Sequence, residues 1–338
     1  MRAGRVAVLK GGRSLERNVS LRSGAHVQQA LQRLGHEVLP LDAGPQLMSE
    51  LLAAKPDAAF IALHGRDGED GNVQGLLEAV GIPYTGSGPA SCMACTDKVL
   101  AKHLMREAGI PTPDFHSLRE ASIKELGAAA AIGDIERALG FPLVVKPAVG
   151  GSALGVKFAR SGGELPGALV GAFSYDGTVV IERYVKGRDL AVSVLDADPA
   201  AEGGEAAPVA LPIVEAVPRE EEFYDYESRY EIGMTTFVCP AELPQATTGR
   251  AQELALKVYG LLRCHGVARV DLMLDEDSGE LWVLETNVVP GLTETSLLPQ
   301  AADAAGIGFD ELVERVLASA FRSRRRRSPP ARPRRGTP

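Results

Sequence analysis

Arg269-Val270-Asp271-Leu272-Met273-Leu274 and Leu281-Trp282-Val283-Leu284-Glu285-Thr286-Asn287 are the two runs that decide the fold of this chain. Side chains alternate between the faces of a strand, so Arg269 and Asp271 share one face, as do Glu285 and Asn287. The stretch between them, Asp275-Glu276-Asp277-Ser278-Gly279-Glu280, is polar and rich in turn formers, so the pair is predicted to be a hairpin. A turn centred near Ser278 places Asp271 opposite Glu285, with their oxygens converging on one surface. Unpaired carboxylates beside apolar residues repel each other and are poorly solvated. A hard cation resolves this conflict, because Mg²⁺ takes oxygen ligands and keeps room for phosphate. An ordinary exposed hairpin with outward polar positions also accounts for these two runs.

At 338 residues, 45% hydrophobic and 24% charged, the sequence suits a soluble protein of two or three domains. No apolar run approaches the roughly 20 residues that span a bilayer. The start, Met1-Arg2-Ala3-Gly4-Arg5-Val6, lacks the longer apolar stretch of a secretory signal, so a cytoplasmic location is expected. Cys92 and Cys95 form a C-x₂-C, but Cys239 and Cys264 supply no second pair, which argues for buried thiols rather than zinc. Charge is unevenly spread. Eight arginines and no acid follow Phe321, so a net charge of −8 leaves −16 on residues 1–320. That arginine- and proline-rich end is expected to be disordered, either as an anchor for acidic partners or as a solvated extension. No nucleic-acid motif accompanies it.

Strand-like and helical patterns alternate at the start: Val6–Leu9, a helix near Ser20–Leu34, Ala58–Leu63, and a helix near Val73–Val80. Such alternation predicts a parallel sheet with helices on its faces. A second region opens at Asp97-Lys98 with a helix to about Ala108, then an alanine-rich stretch at 128–131 read as an expanded loop. Strands Leu143–Lys146 and Val156–Ala159, a helix Leu165–Phe173 and a strand Thr178–Glu182 follow. The third region begins near Asp189 with Leu190–Leu195. A small-residue loop over 196–207, a strand Val209–Val217 and a helix Pro244–Cys264 come next. The hairpin then leads to helices near Leu297–Ala305 and Phe309–Ala320.

Several motifs carry chemistry. Lys146 ends an apolar strand, and Gly150-Gly151-Ser152-Ala153-Leu154-Gly155 follows it. A glycine loop between antiparallel strands can fold over a polyphosphate while the lysine neutralises charge. A plain glycine hairpin with a snorkelling lysine is the alternative. Glu182 ends another apolar strand, where a carboxylate can read an adenine amino edge and Asp189 can meet ribose hydroxyls; an exposed strand end fits the same residues. Glu16 after the turn Gly11-Gly12, His64-Gly65 at a strand end, and Tyr84-Thr85-Gly86-Ser87-Gly88 all point to one crevice outside the carboxyl ends of a parallel sheet. For His64, a hydrogen-bonded strand-end histidine remains the alternative.

Taken together these residues resemble the D-alanine–D-alanine ligases of the ATP-grasp superfamily, over the chain up to about residue 320. The segments that carry the resemblance run from Gly11 to Ser20, Ala62 to Gly71, Tyr84 to Gly88, Thr96 to Lys98, Phe223 to Tyr226, Arg269 to Asp271, and Glu285 to Leu297. The resemblance implies an α/β (α+β ATP-grasp) fold with an N-terminal parallel-sheet domain over 1–96. Two α+β units that clasp ATP then span 97–188 and 189–320, and the basic tail covers 321–338. It implies ATP-dependent joining of two D-alanines through an acyl phosphate, for peptidoglycan precursors, in a cytoplasmic homodimer with no nucleic-acid partner. The implied cofactors are ATP with two Mg²⁺ on Asp271, Glu285 and Asn287, with Mn²⁺ an acceptable substitute.

By the same resemblance Lys98, Lys146 and Arg229 would hold phosphates, and Glu182, Arg183, Val185, Asp189, Phe223 and Leu284 the rest of the nucleotide. Glu16, Val19 and His64 would receive the first D-alanine, and Ser296 and Leu297 the second. Arg269 and the Gly291 N–H would stabilise the developing oxyanion. Ser152 and Tyr230 would join Glu16 in a hydrogen-bonded triad that locks a lid, and Tyr230 resembles the dipeptide-forming members. Arg229 stands where many members have lysine, Val149, Gly150 and Ala153 replace commonly polar residues, and Asp189 replaces a glutamate. Two other readings are an ATP-grasp ligase with a different second substrate, such as D-lactate or D-serine, and a catalytically silent nucleotide binder.

Overall fold

The central hairpin forms as β12 (Val267–Asp275) and β13 (Leu281–Asn287), and Asp271 pairs with Glu285. The turn is tied by Asp275, whose side chain accepts from the N–H groups of Asp277 and Ser278. From Leu274↔Leu281 to Leu272↔Val283 the register centres half a residue short of Ser278; a bulge between Asp271 and Leu272 then inserts Leu284 and restores the expected pairing. A β-bulge re-aims side chains in this way. Here it turns two consecutive residues, Leu284 and Glu285, into the same cavity.

This computed structural model describes residues 3–127, 129–196, 207–218 and 235–327. In the N-terminal region β1 (Arg5–Lys10), α1 (Arg17–Arg33), β2 (Glu37–Asp42), α2 (Leu47–Ala54), β3 (Ala58–Ile61), α3 (Asn72–Val80) and α4 (Pro89–Thr96) build a parallel sheet in the order β2-β1-β3. The sequence did not announce β2, because Pro40 interrupts its apolar pattern; as an edge strand it tolerates a residue without an N–H.

The next region comprises α5 (Lys98–Glu107), β4 (Phe115–Arg119), α6 (Glu120–Leu126), α7 (Ala129–Leu139), β5 (Leu143–Pro147), β6 (Lys157–Ala159), α8 (Leu165–Phe173) and β7 (Thr178–Arg183). Its antiparallel sheet runs β4-β7-β5-β6. The alanines expected in a loop instead open α7. Gly127, left-handed at φ 70°, ends α6, and alanine is the strongest helix former available to start again.

The third region adds β8 (Gly187–Leu195), β9 (Val209–Ala210), β10 (Val214–Pro218), β11 (Thr235–Val238) and α9 (Gln245–Leu261) before the hairpin, and α10 (Leu297–Ala304) and α11 (Phe309–Arg327) after it. Among the described residues its sheet is ordered β11-β10-β8-β12-β13, with β9 on β8. The single strand expected over 209–217 is split at Leu211-Pro212-Ile213, since proline cannot donate to a ladder. The arginine run also departs from expectation. The last helix continues through Arg327, because arginine favours helices and cations suit a helix C-terminus.

The three regions are packed on one another. Val27 and Leu31 of α1 share a core with Leu298 of α10 and Leu312, Val316 and Leu317 of α11, so the chain's last helices close over its first sheet. Arg33 forks onto Asp310 at 2.5 and 2.9 Å on the rim of that contact. Cys92 and Cys95 lie buried on α4, and Cys95 Sγ sits 3.7 Å from Cys264 Sγ. Leu272, fully buried next to the bulge, belongs to the core beneath the hairpin. Leu272→Ala is expected to lower stability by about 2–5 kcal/mol in urea unfolding. A loss below about 0.5 kcal/mol would show that the hairpin is not anchored there.

Candidate active site

Between the four-stranded sheet and the third region's sheet lies a cavity of about 320 Å³. Val144 and Lys146, two apart on β5, face into it, as do Glu182 from β7 and Asp189 from β8. Residues 183–187 cross its edge and connect the two sheets. On the far side stand Met273, Leu284 and Glu285. Every residue expected to hold ATP within the described part of the chain lines this space: Lys98, Lys146, Glu182, Arg183, Val185, Asp189 and Leu284. Phe223, Arg229 and Tyr230 lie outside the described residues.

The polar groups of the wall are tightly paired. Glu182 is buried with one oxygen 2.6 Å from Lys146 Nζ and the other 2.9 Å from Lys102 Nζ. Burial alone would raise its carboxyl, but the two ammonium groups hold it below the usual carboxylate range. Lys98, at the start of α5, donates to the Gly150 carbonyl at 2.5 Å and lies 3.5 Å from Glu285. Asp97 caps the same helix through the Leu100 N–H, which fixes where Lys98 points. Arg183 stacks over the Trp282 ring at 4.9 Å.

A second group lies where the N-terminal region meets the glycine loop. Ser152 Oγ donates to Glu16, and Gly65 (φ 71°) passes so close that a Cβ there would fall 2.4 Å from Glu16 Oε2. Burial first, and the Glu69 carboxylate second, push the Glu16 carboxyl above its ordinary value. His64 Nδ1 donates to the Val289 carbonyl at 3.0 Å, while Ser23 Oγ, which accepts from the Leu292 N–H, passes its own proton toward His64 Nε2 at 2.9 Å. His64 therefore ties the first sheet to the segment after the hairpin. In that segment Ser296 Oγ accepts from the Thr293 N–H at 3.0 Å and packs against Gly291, where a Cβ would meet it at 2.5 Å. Leu297 is buried in the shared core, and Val19 is 41% exposed on α1.

As donors, Asp271, Glu285 and Asn287 fit a hard divalent ion: two carboxylates and an amide oxygen on one hairpin. Glu285 is the one that lines the cavity. Asp271 is fully buried and takes two guanidinium bonds from Arg269 at 2.7 and 2.8 Å, and neither residue lines the cavity itself. Asn287 Oδ1 accepts from the Val289 N–H at 3.0 Å.

The pattern of the D-ala D-ala ligase N-terminus matches residues 43–87, and that of the D-ala D-ala ligase C-terminus matches residues 104–318. The D-alanine–D-alanine ligase of Syntrophotalea carbinolica is 45% identical over 94% of this chain and 96% of its own length. The chain belongs to the D-alanine–D-alanine ligase family. Its fold agrees. A crystal structure of the D-alanine–D-alanine ligase of Bacillus anthracis has a TM-score of 0.81 at 36% identity, covering 96% of this chain and all of that one. A second crystal structure of the Bacillus anthracis ligase, complexed with ATP, has a TM-score of 0.78 at 35% identity, with the same coverage.

Sequence reasoning missed Lys102, Ser23 and Glu69. Lys102 stands four residues after Lys98, and Ser23 three after Ser20 and seven after Glu16, so helical spacing put each on the face of a residue already singled out. Glu69 carries no such signal, since its loop geometry is not periodic.

The raised Glu16 carboxyl has a consequence for stability. A carboxyl that binds its proton more tightly when folded contributes stability below the ordinary glutamate range, and loses it as pH rises through the raised value. Glu16→Gln, uncharged throughout, is expected to melt above the parent at about pH 7.5, with the gap closing toward about pH 4. Equal melting temperatures at neutral pH would contradict the burial argument.

Proposed function

We propose that this chain joins two D-alanines into D-alanyl-D-alanine, converting ATP to ADP and phosphate, and so supplies peptidoglycan precursors. The observation that carries the reading is the junction of two sites: the lysine-lined ATP-grasp cleft meets, through the glycine loop, the Glu16–Ser152 hydrogen bond on the N-terminal sheet.

A carboxylate is a poor electrophile, so the first D-alanine is activated by taking the γ-phosphoryl group. The amine of the second attacks that acyl phosphate, an N–C bond forms as the C–O bond to phosphate breaks, and the amine proton leaves. Such chemistry between anions depends on positioning and charge neutralisation. Lys98 and Lys146 hold the phosphates, and Glu182, Arg183, Val185, Asp189 and Leu284 surround the nucleoside. Glu16 takes the ammonium of the first D-alanine, with His64 and Val19 beside it. Arg269 and the Gly291 N–H face the developing oxyanion, and Ser296 and Leu297 meet the second D-alanine. Asp271, Glu285 and Asn287 would hold Mg²⁺, which supplies charge neutralisation of the phosphates when bound. Ser152 closes the glycine loop on Glu16 and keeps water from the acyl phosphate, with Tyr230 as the third member of that latch.

Residues 1–96 form the substrate unit, 97–188 and 189–320 the two halves of the clasp, and 321–338 a basic extension. The protein works as a cytoplasmic homodimer. ADP release that depends on D-alanine and Mg²⁺ is the expected assay result, and turnover confined to a mixed pair with a D-hydroxy acid would move the substrate assignment. Glu285→Gln is expected to cost at least about a hundredfold in kcat while circular dichroism stays unchanged; full activity in that variant would remove Glu285 from the metal site. Ser152→Ala is expected to raise the KM for D-alanine about tenfold by loosening the latch, and unchanged kinetics would count against it.

A further inference from the structure

The buried cluster at the cleft wall contains two ammonium groups and one carboxylate. Glu182 and Lys146 line the cavity, whereas Lys102 lies behind them, fully buried and outside it. Lys102 is held from three directions and faces a like charge on a fourth. Glu182 Oε2 on β7 is at 2.9 Å, Thr112 Oγ1 accepts at 2.5 Å, the Phe115 ring on β4 is 5.2 Å away, and Lys146 on β5 faces it across Glu182. Arg106, on its own helix, lies over the same ring at 4.4 Å. Thr112 in turn donates to the Val283 carbonyl, so Lys102 also reaches the hairpin.

We propose that Lys102 is a positioning residue for nucleotide binding: by holding Glu182 from behind it frees Lys146 to pair with the ligand's polyphosphate. This rests on the reading of the cavity as an ATP site. A buried carboxylate with a single cationic partner keeps that partner, because separating them leaves an uncompensated charge. With Lys102 in place the carboxylate is already compensated, and the cluster as a whole offers one positive charge to an anion entering the cleft. Holding Lys102 there has a cost. Burial, with Lys146 and Arg106 adding like charge, lowers its ammonium to about 8 against the opposing pull of Glu182.

The test is isothermal titration of ATP and of adenosine, which lacks the phosphates, into the full-length protein. Lys102→Met is expected to weaken ATP about tenfold relative to adenosine. Lys102→Arg is expected to preserve the ratio of the two affinities. The double variant Lys102→Met, Glu182→Gln, in which no carboxylate holds Lys146, is expected to restore that ratio to within about threefold. A purely structural Lys102 would weaken both ligands alike and show no rescue, and either result overturns the proposal. The unsubstituted protein gives a second reading. Its ATP affinity relative to adenosine should fall as pH rises through about 8, where Lys102 loses its proton, and a flat ratio would also overturn the proposal. A parent protein that binds neither ligand would instead overturn the nucleotide reading itself.

Discussion

Charges gathered in a poorly solvated wall must be neutralised by the protein, and the partners at this site come from elements far apart in sequence. Glu182 on β7 meets Lys102 on α5, Glu285 on β13 meets Lys98 on α5, and Glu16 before α1 meets Ser152 in the glycine loop. At Glu182, the most deeply buried of the three, a carboxylate left without its lysines would cost several kcal/mol, whereas Glu16 has only a neutral hydroxyl partner and its carboxyl is raised. The pairings therefore do double service. They bring the three regions into one arrangement, and they leave lysines facing a cavity that a polyphosphate can fill. Folding and assembly of the site are in this sense one event, with α5 at its centre because Lys98 and Lys102 occupy successive turns of one face.

The glycine loop shows a related compromise. Ser152 and Ala153 both adopt left-handed backbone, at φ 48° and 55°, a conformation that costs a non-glycine residue roughly 1 kcal/mol each. For Ser152 the hydroxyl bond to Glu16 offsets that cost, since hydrogen bonds to charged groups are worth more than neutral ones. Ala153 has no comparable side-chain contact, and its conformation is imposed by its neighbours. The loop is also pinned at its base, where the Lys98 N–H reaches the Ala148 carbonyl and the Val149 N–H reaches Asp176. Its tip is thus held through Ser152, which is the arrangement a closing flap requires.

Much of this could be read from the amino-acid order, and the reasons differ by element. Alternation and βα spacing located the parallel sheet, the clasp strands and the central hairpin, because burial of one face imposes a period on the sequence. The pairing of Asp271 with Glu285 was legible for a partly fortuitous reason: the turn sits half a residue off the expected centre, and the bulge at Leu284 compensates. Bulges leave no periodic trace, so the turning of both Leu284 and Glu285 into the cleft was not foreseeable. Pro40 concealed β2 and Pro212 split a strand that apolarity alone made continuous. Lys102 was hidden for a different reason. A lysine reads as surface unless the sequence also shows that its helix face is covered, and that depends on strands that come later in the chain.

The electrostatic setting adds a last consequence. Residues 1–320 carry −16, a field that disfavours approach of a polyanion. Attraction must then be local, over distances shorter than the roughly 8–10 Å at which salt screens exposed charge. The wall cluster meets that condition, because its excess positive charge is buried and screened far less than a surface lysine would be. D-Alanine, a zwitterion without net charge, is indifferent to the overall field, and under the proposed reading its ammonium would meet Glu16, a carboxyl that burial already makes costly to ionise. On that reading each ligand would be drawn in by a group that the folded protein holds at some cost in the empty state. Local stability given up at Glu16 and around Lys102 would become binding energy once the cleft is filled.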